Sequence, residues 1–133
     1  MRFSALASFS SLLVAALAIG ACTNASDPQA VSAAKELVPN GSEILEIVEN
    51  TEGLVFESGE YFVKVEITDG GHGANLADAT ASRAESEGWT ITDRAESSDD
   101  VVLSLRRDSY ESTVYVWLDQ TPVQASIFVR AAD

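Results

Sequence analysis

Cysteine and histidine occur once each in this chain of 133 residues. A single thiol cannot close an internal disulfide, so the fold must stand on its hydrophobic core alone. A single imidazole cannot build the multi-histidine sites that hold transition metals tightly. Positive charge is scarce as well: eight Lys and Arg face 21 Asp and Glu, for a net charge of −13. Such a surface repels phosphate backbones and anionic headgroups, which excludes nucleic-acid binding. Proline is limited to three residues, and no repeat or low-complexity segment occurs. The longest apolar run, residues 12–19, is too short to span a bilayer, which needs about 20 residues.

That run is nonetheless the first feature of note. Arg2 precedes it, and the small residues Gly20 and Ala21 follow it. A charged start, a short apolar stretch and a small-residue site form a secretory leader. The tetrapeptide Ile19-Gly20-Ala21-Cys22 resembles the lipobox of bacterial lipoproteins, in which an aliphatic residue and two small ones precede an obligatory cysteine. The resemblance covers the leader and these four residues. It implies that residues 1–21 are removed, that Cys22 becomes an N-terminus carrying diacylglyceryl and often a further palmitate-type chain, and that residues 22–27 form a tether. More than one acyl chain suffices for stable anchoring. The partner so implied is a membrane of the cell envelope. Thr23 lacks the aspartate that signals inner-membrane retention in that family, so an outer membrane is favoured where one exists. Arg2 leaves with the leader, making the mature chain one unit more negative. Residues 28–133 are the length of one domain.

Periodicity orders the rest. Asp27-Pro28 reads as an N-cap followed by a first helical position, and apolar spacing predicts a helix over 28–37, stopped by Pro39. Residues 44–49 fit strand or helix, and their β-branched content favours a strand. Leu54-Val55-Phe56 continues the pairing. Residues 61–68 alternate, with Tyr61, Val63, Val65 and Ile67 on one face and Phe62, Lys64, Glu66 and Thr68 on the other. Asn75 is placed to cap a helix over 76–87 whose inner face is Leu76, Ala77, Thr80, Ala81 and Ala84. Gly88 ends that helix and Trp89 opens a strand. Residues 93–100 are polar and read as a surface loop. Three alternating strands then form an antiparallel meander. The fold class is therefore α+β, a two-layer domain with a mostly antiparallel sheet of five or six strands and one or two packed helices. A helix closing in Gly88-Trp89 before a meander resembles small lipoprotein domains of the bacterial envelope whose function is unknown.

Candidate chemistry is sparse. His72 lies in Asp69-Gly70-Gly71-His72-Gly73, where Asp69, Asn75 and Asp78 are the available co-ligands. The stretch 70–75 resembles one unit of a calcium-binding nonapeptide repeat, which acts only when stacked, so a plain loop is expected. No serine sits in a Gly-x-Ser-x-Gly elbow. Acid pairs such as Asp99-Asp100 or Glu57 with Glu60 arise by chance among so many carboxylates. No catalytic residue, metal or cofactor is implied. The sheet face away from the helices is more informative. Phe62, Lys64, Arg106, Tyr115, Trp117, Phe128 and Arg130 fall on it, and Tyr, Trp and Arg are the residue types that dominate binding hot spots. The alternative is that these rings cover one another across the strands.

The expected function is a non-catalytic, membrane-tethered binding or accessory module whose partner is an envelope protein or a small ligand. A second reading is an inhibitor of a basic envelope-acting enzyme such as lysozyme, since the acidity would speed encounter. Ser58-Gly59-Glu60-Tyr61 is similar to the Ser-Gly-x-x-Tyr loop of lysozyme-inhibitor lipoproteins, one residue shorter and without that family's disulfides. A small hydrolase ranks third.

Overall fold

A computed structural model describes residues 28–50, 55–56 and 59–132, with the backbone alone at 55–56 and 59. The leader, Cys22, the tether with Asp27, and Leu54, Glu57 and Ser58 lie outside the described residues. The elements in chain order are α1 (Pro28–Lys35), β1 (Ile44–Glu49), β2 (Val55–Phe56), β3 (Gly59–Glu60), β4 (Val63–Thr68), α2 (Leu76–Ser86), β5 (Thr90–Glu96), β6 (Asp100–Arg107), β7 (Tyr110–Trp117) and β8 (Gln124–Ala131). A 3-10 turn, Gly73–Asn75, leads into α2. Six strands form one antiparallel sheet in the order β1-β4-β8-β7-β6-β5, and β2 pairs with β3 separately. The domain is thus α+β, with two helices against one sheet.

Alternation decides which face the helices cover. Val63, Val65 and Ile67 of β4 are fully buried, as are Leu103, Val114, Val116, Ile127 and Val129 of the meander. Against them pack Ala30, Ala33, Ala34 and Leu37 from the first helical segment, and Leu76, Ala77, Ala81 and Ala84 from α2. Alanine-rich inner faces carry little bulk, so both helices can lie close to the sheet. The large residues of this layer each contribute about 1.5–3 kcal/mol on burial. Thr80, also fully buried, returns its hydroxyl to the Leu76 carbonyl at 2.8 Å, which satisfies the oxygen within the helix. No helix among the described residues is long and apolar enough to cross a membrane.

Four local expectations are corrected. The first helix ends at Lys35 rather than 37, because Leu37 and Val38 turn back three residues, to Ala34 and Lys35, and tighten the last turn. Asn75 makes no side-chain cap, and the 3-10 turn feeds the helix instead. Residues 93–96 belong to β5, which among the described strands has β6 alone as a neighbour and is exposed along most of its length. A strand held from one side and facing water has no apolar period to read. The fourth correction concerns Phe62. Its N–H bonds to Val129 while its carbonyl accepts from Asn50, so the two groups point to opposite neighbours. A regular strand residue cannot do this. The bend turns the Phe62 ring onto the helix side, edge-on to Tyr110, and sends Tyr61 to the other face against Phe128.

One arginine joins the two helices and another joins the sheet to them. Arg83 Nε donates to the Glu36 carbonyl at 3.0 Å, just past the end of α1. Arg107 at the end of β6 donates to the Glu87 carbonyl at 2.8 Å, to the Glu36 carboxylate, and lies 4.8 Å over the Trp89 ring. Cations placed at helix C-termini satisfy orphan carbonyls and complement the dipole. At the sheet's far edge, Arg94 of β5 reaches Asp78 of α2 at 2.9 Å and Glu96 at 2.8 Å. Burial pulls the Arg94 pKa down, but the bonds and charges of Asp78 and Glu96 outweigh it and leave it raised.

The loops at 39–42 and 69–73 touch backbone to backbone. A Cβ on Gly70 would sit 2.5 Å from the Gly41 carbonyl carbon and the Ser42 nitrogen, whereas one on Gly71 meets nothing within 4 Å. Both glycines have positive φ. Gly71→Ala should therefore cost about 1 kcal/mol, the left-handed penalty alone. Gly70→Ala should cost roughly 2–4 kcal/mol, because the two loops must also separate. Denaturant midpoints of the two variants check this, and equal losses would contradict the close approach.

Candidate binding surfaces

On the face away from the helices, the meander and β4 gather most of the residues that the alternation points to. Tyr115 and Trp117, two apart on β7, stack with centroids 5.3 Å apart and planes 5° from parallel. Phe128 of β8 meets Tyr115 edge-on at 5.8 Å and Tyr61 at 5.2 Å. The Trp117 indole N–H donates to the Ser126 hydroxyl at 3.3 Å. Phe62 is absent from the group, for the reason given by the bend, and Tyr61 takes its place.

The cations of this face are all paired. Glu111 lies opposite both Arg106 and Arg130 in the ladders. One carboxylate oxygen accepts from Arg106 at 2.9 Å and the other from Arg130 at 3.3 Å. Lys64 pairs with Glu66 at 3.3 Å. Two shallow openings flank these groups. One, about 450 Å³, lies at the Trp117 end beside Glu66, Asp119 and Gln124. The other, about 290 Å³, lies over the Arg106-Glu111-Arg130 cluster beside Ser104 and Thr113. The rings, apart from buried Tyr61, are half-buried, so this face combines mutual ring packing with partial access.

The acid pairs and the histidine are placed apart from these openings. His72 Nε2 lies 2.9 Å from the Asn40 carbonyl. A carbonyl only accepts, so Nε2 carries the proton and the ring ties the two glycine loops together. Asp69 accepts from the Gly71 N–H at 3.1 Å within its own turn. Among the described residues, no three of His, Cys, Asp and Glu group as a metal site would require. Asp99 lies in the β5–β6 turn and Asp100 opens β6, where the Ser97 hydroxyl donates to the Asp100 carboxylate at 3.0 Å. Glu60 is exposed, and its proposed companion Glu57 lies outside the described residues.

A second surface was not anticipated. The exposed large hydrophobic residues among those described are Ile44, Leu45 and Ile47, at 39%, 50% and 36%. All three belong to β1, an edge strand. The sequence signal for this was available: apolar residues at 44, 45, 47 and 48 fall on both faces of a strand, interrupted by Glu46 and Glu49. A strand buried on one face reads differently.

No protein-family model matches the chain, and neither the curated proteins nor the solved structures include one significantly similar to it.

The stacked pair on β7 makes a quantitative prediction. A double-mutant cycle with Tyr115→Ala and Trp117→Ala should give a coupling of about 0.5–1.5 kcal/mol in urea unfolding. Additive losses would mean that the rings do not support one another.

Proposed function

We propose that this chain is a non-catalytic lipoprotein of the bacterial envelope, tethered through acyl chains on Cys22 and presenting its domain to a partner. The observation that carries the reading is the tetrapeptide Ile19-Gly20-Ala21-Cys22 at the end of an apolar leader. The chain holds no second cysteine to pair with Cys22, and lipidation gives that thiol a role. A tether and a compact acidic domain suit a protein that acts by capture. The net charge of −13 favours a partner of opposite sign, whose encounter it would accelerate at low salt.

A second reading, inhibition of a basic envelope-acting enzyme such as lysozyme, draws on the same charge. A salt-sensitive complex with lysozyme that abolishes turnover would select it over the general accessory role.

The tether is tested by intact mass. The mature chain should begin at Cys22 and carry two or three acyl chains, and Cys22→Ser should accumulate as the unprocessed precursor. A mature protein without lipid, cut at another position, would defeat the proposal.

A further inference from the structure

The two edges of the sheet differ in a way that folding alone does not require. Edge strands offer unpaired backbone groups and invite unwanted pairing, and proteins usually blunt them with charge and bulges. β5 follows that rule. Thr92 is the extra residue of a bulge, and Asp93, Arg94 and Glu96 crowd the strand. β1 has a bulge at Leu45, yet it carries Ile44, Leu45 and Ile47, the exposed large hydrophobic residues of the described chain.

Beyond the bulge the ladder is regular, so its open groups can be assigned. Asn50 donates to the Phe62 carbonyl, and Glu46, Val48 and Asn50 are the positions that face β4. Bonded and non-bonded positions alternate along an antiparallel strand. Ile47 and Glu49 therefore turn their N–H and C=O groups away from the sheet. Among the described residues, these four ladder groups stand open beside an exposed isoleucine.

Charge identifies what fits them. Glu43, Glu46 and Glu49 are exposed along the same segment and take part in no ion pair among the described residues. Most of the described cations are committed elsewhere: Lys64 to Glu66, Arg83 to Glu87, Arg94 to Asp78, Arg106 and Arg130 to Glu111, and Arg107 to Glu36. Lys35, at the end of α1, pairs with none of the three glutamates among the described residues. No described cation of the chain neutralises these three glutamates, which leaves them open to positive charge from a partner. On an added strand, the residue beside Ile47 lies on the helix side of the sheet, and its neighbour in sequence lies on the opposite side with Glu46.

We propose that β1 is a docking edge for an extended peptide segment of a partner protein in which apolar and basic residues alternate. The segment would add as a further strand, its backbone on Ile47 and Glu49, its apolar residues against Ile44 and Ile47, and its basic residues against Glu46. Main-chain bonds supply affinity in such additions, and side-chain alternation supplies specificity. This inference rests on the reading of the chain as a binding module and names the surface and the chemistry of its partner. A second copy of the chain is a poorer occupant, because it would bring its own unpaired glutamates to the same edge.

The test uses the full chain and a short capped peptide of alternating lysine and valine, labelled for fluorescence anisotropy. Two controls are the same residues in blocks and the same pattern with glutamate in place of lysine. The alternating peptide should bind, the block peptide about tenfold more weakly, and the glutamate peptide not at all. Ile47→Pro removes an outward N–H and no bond to β4, so it should keep the far-ultraviolet circular dichroism and weaken binding about tenfold. L45K/I47K keeps the backbone donors but removes the apolar contact and opposes the peptide's charge. It should weaken binding at least as much, and it decides the matter if Ile47→Pro unfolds. Trp117→Ser loses the stack on Tyr115 and some stability with it, but should leave peptide binding at β1 unchanged. Absence of binding to the wild-type chain would overturn the inference, as would equal binding of the block peptide or a dimer that Ile47→Pro dissolves. Loss of binding in Trp117→Ser with none in the β1 variants would move the site to the outer face and leave the binding-module reading standing. Acylation of Cys22, read by mass on the same preparation, is indifferent to all of these.

Discussion

The pairing of β4 with β8 holds this domain together. β4 arrives early, with α1 and β1 behind it, and β8 is the last strand of a meander that begins across the sheet. Six register pairs, from Val63 opposite Val129 to Thr68 opposite Gln124, join the two halves. Without them the chain would be a two-stranded ribbon beside a separate meander. The side chains along this seam, Val63, Val65, Ile67, Ala125, Ile127 and Val129, are nearly or wholly inaccessible. The seam is also where the polar and aromatic face begins, since Lys64 and Phe128 are opposite one another on the reverse side.

One-sided coverage follows from this arrangement. α2 crosses from β4 to β5 at the far edge, and α1 lies over β4 and β8. The alanines on both helices let them settle on the sheet, while Arg83 and Arg107 draw the two helix ends toward Glu36. Exposed ion pairs contribute little, commonly 0–1 kcal/mol. Arg107 has more to offer because it is only 22% exposed, bonds a helix-terminal carbonyl and covers a buried tryptophan. The helices lie mainly over β4, β8, β5 and β6, and Ile44 and Ile47, although they point to the helix side, remain in contact with water.

Much of this fold is legible from spacing. The alternation in residues 101–129 yields β6, β7 and β8 with the correct inner face, and the small-residue stripe of residues 76–84 yields α2. Those segments have a neighbour on each side or a broad contact below, so their burial writes a period into the sequence. The second half of β5 leaves no such trace, because residues 93–96 are exposed and are held by backbone bonds to β6. The swap of Tyr61 and Phe62 is illegible for another reason: both residues are aromatic, and a bend in the backbone decides which ring faces the core. Aromatic and basic residues of the outer face are recoverable from alternation, apart from Phe62. Their mutual pairing through Glu111 and through the Tyr115–Trp117 stack depends on distances that no linear pattern carries.

The edge at β1 combines the two kinds of information. Its apolar residues and glutamates are plain in the sequence, yet only the sheet order shows that no described strand lies beyond them. The account stands on that openness, and native-state amide hydrogen exchange reads it residue by residue. In the chain alone, the Ile47 and Glu49 amides should exchange rapidly, while the Val48 and Lys64 amides between β1 and β4 should be strongly protected. Equal protection at Ile47, Val48 and Glu49 would show that the edge is already occupied and would contradict the account.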